Sequence, residues 1–271
     1  MNARRISPTV SPFWRDLGFA WFSGLNELGK RFQASLLGGL WLIVGPALLM
    51  GVYWVVFDRV VGVNFSDPST GVEVPFLAAF AVGFFNYMTF SELVGQATSW
   101  FKSKRRMITE TSLPLWAVFG VLISRASVQY VCYLAVTIAI VLAYGLTTPE
   151  GIAFFLLAAL PVFVLFSGVS LIVAFLGLYF ADVREIVPIL LRVMFYVSSI
   201  TFPLAAVPAG WQWVPMANPL TWAVELNRDL LLWDHVNSAA YMIGLGITAV
   251  VVWIIAVFLY ARLSSNVDEV V

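Results

Sequence analysis

Six stretches of the chain are apolar and long enough to cross a lipid bilayer, and no other property restricts its possible folds so severely. A membrane helix takes roughly 20 apolar residues, each advancing about 1.5 Å. The stretches run approximately from Leu36 to Phe57, Phe76 to Ser99, Ala117 to Tyr144, Ile152 to Tyr179, Ile186 to Phe202 and Ala239 to Ala261, the fifth being short. Composition agrees with this reading: 61% of the residues are hydrophobic, 11% are charged and the mean hydropathy is +0.91. An average soluble domain carries roughly 25% charged residues. The expected fold is therefore an all-α membrane protein with six transmembrane helices.

The net charge is zero, so electrostatic information lies in where the charges fall. Basic residues are retained on the cytoplasmic side of a membrane. Placing the N-terminus inside puts Arg4, Arg5, Arg15, Lys30, Arg31, Lys102, Lys104, Arg105, Arg106, Arg184 and Arg262 on that side and leaves Arg59 and Arg228 outside. Arg125 and Arg192 fall within expected helices. Both termini are thus expected to be cytoplasmic. Pro8, Pro12, Arg15 and Asp16 interrupt what would be the apolar core of a signal peptide, so no cleavage is expected.

Ahead of the first span, Ser11 can cap a helix that has Pro12 at its first position. Trp14, Leu17, Trp21, Leu25, Leu28 and Phe32 recur at three- and four-residue spacing, with Arg15, Asp16, Asn26, Glu27, Lys30 and Arg31 on the other face. This pattern reads as an amphipathic helix in the cytoplasmic interface, or as one packed on another domain. Residues 1–34 are accordingly separated from a transmembrane domain at 35–271. The link at about 101–114 is polar and basic and ends at Pro114; it can fix topology and can dock a partner. The segment at about 203–236 holds four prolines and the tryptophans Trp211, Trp213, Trp222 and Trp233, too broken for a simple span. It reads as two short re-entrant helices in the outer leaflet, one near Trp211 and one from Leu220 to Leu231.

Little in the sequence suggests catalysis. Gly24 to Lys30 fits most of a phosphate-binding loop, but Arg31 stands where Ser or Thr would hold magnesium, and no strand precedes it. Asn64-Phe-Ser66 matches a glycosylation acceptor in sequence only. His235, beside Asp234, has no second His or Cys nearby, which makes a poor metal site. The single cysteine, Cys132, lies in an apolar run and offers neither a disulfide nor a thiolate cluster. No metal site, no catalytic residue, no bound cofactor and no nucleic-acid partner is expected. Any ATP and magnesium would belong to a separate subunit.

Intramembrane charges carry more information, because a charge at the bilayer centre costs at least about 2.5–3.5 kcal/mol. Helical rise places Glu92 about 10 Å, Arg125 about 15 Å and Arg192 about 9 Å from the cytoplasmic ends of their spans. Glu92 could pair with Arg125 or Arg192 and lock the bundle, or the three could line a hydrophilic entrance. Phe195, Tyr196, Ser199 and Phe202 follow helical spacing on the fifth span and combine aromatic faces with hydroxyls. Such a stripe can be packing, or a surface along which sugar rings slide.

Several segments resemble a known family. They are Arg31-Phe-Gln-Ala-Ser-Leu-Leu-Gly-Gly-Leu-Trp41 through Gly45-Pro46, Val52-Tyr-Trp-Val-Val-Phe57, Val187-Pro-Ile-Leu-Leu-Arg192 through Thr201-Phe-Pro203, and Asn218-Pro-Leu220 to Glu225 and Arg228. The order and layout of these segments resemble the permease subunits of type 2 ABC exporters that carry O-antigen, capsular polysaccharide or teichoic acid across the bacterial inner membrane. The resemblance implies a homodimer of six-span chains in membrane lipid, served by a dimer of cytoplasmic ABC ATPase subunits, with a lipid-linked polysaccharide as substrate. It implies a coupling helix at Lys104, Arg105, Arg106, Met107, Ile108, Thr109 and Glu110, and an outer gate that includes Trp211, Trp213, Trp222, Glu225 and Arg228. By the same resemblance Trp41, Tyr53, Phe195, Tyr196 and Phe202 would line a channel on the dimer axis, to which the fifth-span stripe adds Ser199 and the intramembrane charge adds Arg192. Ala181-Asp182-Val183-Arg184-Glu185 departs from the Arg-Asp order of many relatives. An ion- or proton-coupled secondary transporter using Glu92 is the competing class, and a membrane-bound glycosyl- or lipid-modifying enzyme is disfavoured by the sparse polar inventory.

Overall fold

A computed structural model describes residues 12–33, 35–66, 71–111, 113–233 and 239–264. Arg4, Arg5, Ser11, Ser112, Asp234 and His235 lie outside the described residues. Among those described, five helical stretches are long and apolar enough to cross a membrane: Gly38–Val61, Phe76–Ala97, Leu115–Ala143, Pro149–Tyr179 and Ala239–Leu263. The chain is a multi-pass, all-α membrane protein.

Helix α1 (Pro12–Phe32) forms as expected, but its packed stripe is not the aromatic one. Asp16, Ala20, Gly24 and Leu28, four residues apart, turn inward, while Trp14, Leu17 and Trp21 stay exposed. The reason is close approach to α6 (Leu115–Ala143). A Cβ on Gly24 would sit 2.7 Å from the Val121 carbonyl oxygen, and one on Gly120 would sit 3.0 Å from Ala20 Cβ. Small residues let helices approach where lipid removes the hydrophobic drive. The ring of Phe13 lies 5.3 Å from that of Trp116, and Glu27 reaches Arg125, so α1 runs in the same sense as α6.

The first span begins as a 3-10 turn at Gly38–Leu40, continues as α2 (Trp41–Trp54) and widens into a π-helical segment at Val55–Val61 that ends on a left-handed Gly62. Phe65–Ser66 and Glu73–Val74 form a short antiparallel ladder, β1 and β2, which the sequence does not foreshadow. Helix α3 (Phe76–Ala97) then enters the centre of the bundle and is the most enclosed span, with 78% of its apolar window buried. Against it, the first span is only 6% buried over the corresponding window.

The basic link folds into two short helices, α4 (Trp100–Ser103) and α5 (Arg105–Glu110). Helix α7 (Pro149–Tyr179) starts on Thr148, whose hydroxyl accepts from Gly151 N–H at 3.1 Å. It packs on α11 (Ala239–Leu263) through Gly168, where a Cβ would stand 3.1 Å from the Trp253 ring. The Trp253 indole N–H donates to the Val164 carbonyl at 2.8 Å.

The expected fifth span is shorter as a helix than its apolar run. Helix α8 (Val183–Val197) has 15 residues and stops at Val197. At about 1.5 Å per residue it reaches about 22 Å, short of a bilayer core of about 30 Å. Ser198 to Phe202 form a turn instead, so the stripe from Phe195 to Phe202 is not continuous helix. Two further short helices, α9 (Trp213–Met216) and α10 (Pro219–Arg228), occupy the proline-rich segment, the second running into a π-helical turn at Asp229–Trp233. Asn218 caps α10 by accepting from Leu220 N–H at 3.0 Å and ties it to Ser198 Oγ at 2.8 Å.

Candidate functional site

At the end of the bundle that carries the basic link, charges from α1, α6 and the link itself meet. Glu27 of α1 pairs with Lys104, between α4 and α5, and lies 3.9 Å from Arg125 of α6. Both cations also sit over the ring of Trp100, Lys104 Nζ at 4.7 Å and the Arg125 guanidinium at 5.5 Å. Trp100 is itself buried and fixed by donating to the Val118 carbonyl at 3.0 Å. One carboxylate thus joins the basic link, α1 and α6.

Glu92 departs from both pairings expected of it. Its ion-pair partner is Arg31 of α1, at 3.7 Å, rather than Arg125 or Arg192. Gln129 also donates to it, and Tyr133 donates at 3.4 Å. The physical reason is that α1 docks along α6 and brings its polar face to intramembrane charges that would otherwise have only one another. A signal for this was present: Arg125, Gln129 and Tyr133 recur every four residues in an otherwise apolar span, as Glu27 and Arg31 do on α1.

Helix α5 crosses the same end with Arg105, Arg106, Thr109 and Glu110 exposed, Met107 half-buried and Ile108 buried. Arg106 and Glu110 pair at 3.3 Å along its outer face. Between α5 and Phe19 of α1 lies an open cleft of about 450 Å³.

Between α2, α3 and α8 the structure gathers several of the aromatic residues singled out above. The Tyr53 ring lies 5.1 Å from Phe195, 5.7 Å from Phe80 and 6.0 Å from Phe84, and Phe195 lies 4.8 Å from Tyr87. Tyr87 donates to the Leu191 carbonyl at 2.9 Å. Phe195 is buried by this packing, whereas Tyr196, Arg192 and Trp41 are exposed. A cavity of about 290 Å³ opens here, lined by Tyr53, Tyr87, Arg192 and Tyr196 among others. Ser199 and Phe202 are elsewhere: Ser199 is fully buried and Phe202 half-buried in the turn after α8.

That turn is held at the opposite end of the bundle by Arg228, which is 1% exposed. Its guanidinium donates to the carbonyls of Ala79 at 3.1 Å, Ser199 at 2.6 Å and Ile200 at 2.9 Å, and to Glu225 at 2.9 Å. It also lies 4.6 Å over the Phe65 ring. Burial pulls its pKa below the ordinary arginine value, and the Glu225 carboxylate pulls it back up. Arg228 therefore fastens α10 to α3, to the turn after α8 and to β1. Trp222 donates to the Met216 carbonyl at 2.8 Å and packs on Gly244, while Trp211 and Trp213 are exposed.

The sequence profile of the family described as ABC-2 type transporter matches residues 24–232. The chain is 23% identical over 247 residues to an O-antigen export system permease protein RfbA of Klebsiella pneumoniae, covering 90% of this chain and 92% of the relative. It is 25% identical over 244 residues to a polysialic acid transport protein KpsM of Escherichia coli, covering 87% and 90% respectively. An O-antigen export system permease protein RfbA of Myxococcus xanthus is 25% identical over 182 residues, 67% of each chain.

Proposed function

The chain belongs to the ABC-2 type transporter family, and on that premise we propose that it is the permease subunit of an ATP-driven exporter of a lipid-linked polysaccharide, such as an O-antigen or a capsular chain, in the bacterial inner membrane. The observation that carries this reading is the near full-length similarity to permeases of O-antigen export and a polysialic acid transport protein. ATP hydrolysis and magnesium binding are assigned to a separate ABC ATPase dimer on the cytoplasmic side, where both termini would also lie.

Two copies would form the conduit, with α2 and α8 facing the axis. Support comes from the sparse burial of α2 and from the exposed apolar face of α8 formed by Ile186, Ile189, Leu190, Val193 and Tyr196. In this arrangement Trp41, Tyr53, Tyr196 and Arg192 meet the passing glycan, with Phe195 backing Tyr53 from behind and Phe202 and Ser199 at the exit turn. Rings that offer area without a deep pocket suit a polymer in transit. Helix α8 and the turn to Phe202 would complete the sixth crossing, and α9 and α10, bearing Trp211, Trp213, Trp222, Glu225 and Arg228, would form a re-entrant outer gate.

Helix α5, from Lys104 to Glu110, would dock on the ATPase. Its exposed Arg105 and Arg106 would contact that subunit, and the Lys104–Glu27–Arg125 cluster would pass its displacement to α1 and α6. A proton-coupled transporter using Glu92 is less well supported, because Arg31, Gln129 and Tyr133 already satisfy that carboxylate.

The test is co-purification in nanodiscs with the ATPase encoded next to this chain. A stable 2:2 complex whose ATP hydrolysis and assembly weaken when Arg105 and Arg106 are both changed to Glu is the expected result. Failure to associate with any ATPase would overturn the proposal.

A further inference from the structure

One intramembrane cation has no counter-charge within the chain. The last turns of α7 meet Thr98 through Gly177, which sets the start of α8 at the end of the bundle that carries the basic link. From Val183 the helical rise puts Arg192 about 14 Å further along α8. Its side chain is exposed, and among the described residues it forms no ion pair and donates no hydrogen bond. Glu92 of α3 is taken by Arg31, Gln129 and Tyr133. Glu185, seven residues earlier on the same side of α8, stands about 10 Å away along the axis and does not pair with it. A guanidinium stays charged in proteins, and an unanswered charge at bilayer depth marks a water-filled path or an anionic partner.

Arg192 lines the cavity of about 290 Å³ between α2, α3 and α8, together with three tyrosines. The Tyr87 hydroxyl proton is committed to the Leu191 carbonyl, so that group offers a ligand only lone pairs. The hydroxyls of Tyr53 and Tyr196 stand beside each other. At most one of their two protons joins them, which leaves the pair a donor for a ligand. Phe84, Met88 and Phe195 complete the wall with apolar surface.

This set of groups selects by chemistry. A neutral ligand leaves the guanidinium charge unanswered, and an apolar one strips its water without replacing the hydrogen bonds. The planar fork matches two oxygens of a phosphate at once. A phosphate ester keeps a further oxygen for the tyrosine hydroxyls, and its organic substituent meets the apolar wall. We infer that Arg192, with the hydroxyls of Tyr53 and Tyr196, forms the subsite for the phosphate that joins a glycan to its lipid carrier. The inference rests on the exporter reading and narrows what the conduit recognises to the anionic junction of a lipid-linked chain, whatever sugars follow it.

The experiment uses the full chain in phosphatidylcholine nanodiscs and measures binding of radiolabelled farnesyl diphosphate. Binding is expected, with affinity falling roughly tenfold or more in Arg192→Gln, the scale of lost hydrogen bonds to a charged group. Arg192→Lys is expected to restore only part of it. Arg192 makes no bond within the chain, so these variants should fold; a Tyr53→Phe, Tyr196→Phe double variant keeps both rings and gives a second test, with a severalfold loss expected. Farnesol, inorganic diphosphate and phosphatidylglycerol built into the disc are expected to compete poorly. Absence of binding, or affinity that all the variants leave unchanged, would overturn the subsite. Equal competition by farnesol would reduce it to a prenyl site, by inorganic diphosphate to a free-anion site, and by phosphatidylglycerol to a headgroup site for membrane lipid, each against the inference. If the subsite fails while the 2:2 complex still forms and exports polysaccharide in cells, the exporter reading stands; if no ATPase associates, the exporter reading falls and the assignment to an exported chain falls with it.

Discussion

The guanidinium of Arg228 donates a 2.6 Å hydrogen bond to the carbonyl of Ser199, twenty-nine residues earlier in the chain. With the bond to Ile200 it supplies donors to carbonyls left over in the turn where α8 stops, and its bond to Ala79 adds a donor to a carbonyl in the first turn of α3. Changing Arg228 to Met should cost at least about 3 kcal/mol, the scale for breaking a buried pair by removing one partner. A fluorescence-detected melt of the detergent-solubilised protein would show it. Arg228→Lys should recover only part of the loss, since an ammonium cannot span several carbonyls as the planar fork does; full recovery would mean that charge alone matters.

Glu27 is expected to be more than a surface charge. Glu27→Gln leaves Lys104 and Arg125 facing each other over Trp100, and we expect a loss of about 1–3 kcal/mol together with reduced substrate-stimulated ATP hydrolysis in the assembled complex. Stability falling without any change in hydrolysis would confine the cluster to a packing role.

Close helix contacts give a sharper contrast. A Cβ on Gly177 would stand 2.0 Å from the Thr98 carbonyl oxygen, whereas one on Gly246 would meet nothing within 4 Å. Gly177→Ala should therefore destabilise by about 1–3 kcal/mol through overpacking, and Gly246→Ala should be neutral or gain up to about 1 kcal/mol from helix propensity. Equal melting temperatures for the two variants would contradict this packing.

Phe195 and Tyr196 are neighbours with opposite surroundings. Phe195→Ala empties the cluster around Tyr53 and Tyr87 and should cost about 3–5 kcal/mol. Tyr196→Ala lies on an exposed face and should change stability by no more than about 0.5 kcal/mol, while slowing export of surface polysaccharide in a complementation assay. Normal export with the Tyr196 variant would remove that residue from the conduit.

The long apolar runs were legible because a span needs only length and composition, and several of the expected ends fall within a few residues of the observed helices. The end of α8 was not legible for a related reason. Ile200 and Phe202 are as apolar as the helix before them, so hydropathy carries on past Val197 although the backbone turns there. The β1–β2 ladder is too short for its alternation to register. Glu92 and Arg125 stood out as intramembrane charges, but their partners depended on which face of α1 docks, and Gly24 and Ala20 decide that by size rather than polarity. Arg228 was assigned to the outer segment, yet its principal partners are backbone carbonyls, which every residue possesses and no side-chain pattern announces.

The same staple bears on how the chain is made. Ribosomes add roughly 5–20 residues per second, so the carbonyls of Ser199 and Ile200 exist for roughly one to six seconds before the guanidinium that satisfies them has been synthesised. Carbonyls left without donors in lipid cost several kcal/mol each. In lipid that turn would therefore have to wait beside water or the insertion machinery, and the end of the bundle opposite the basic link closes only after α10 has been made.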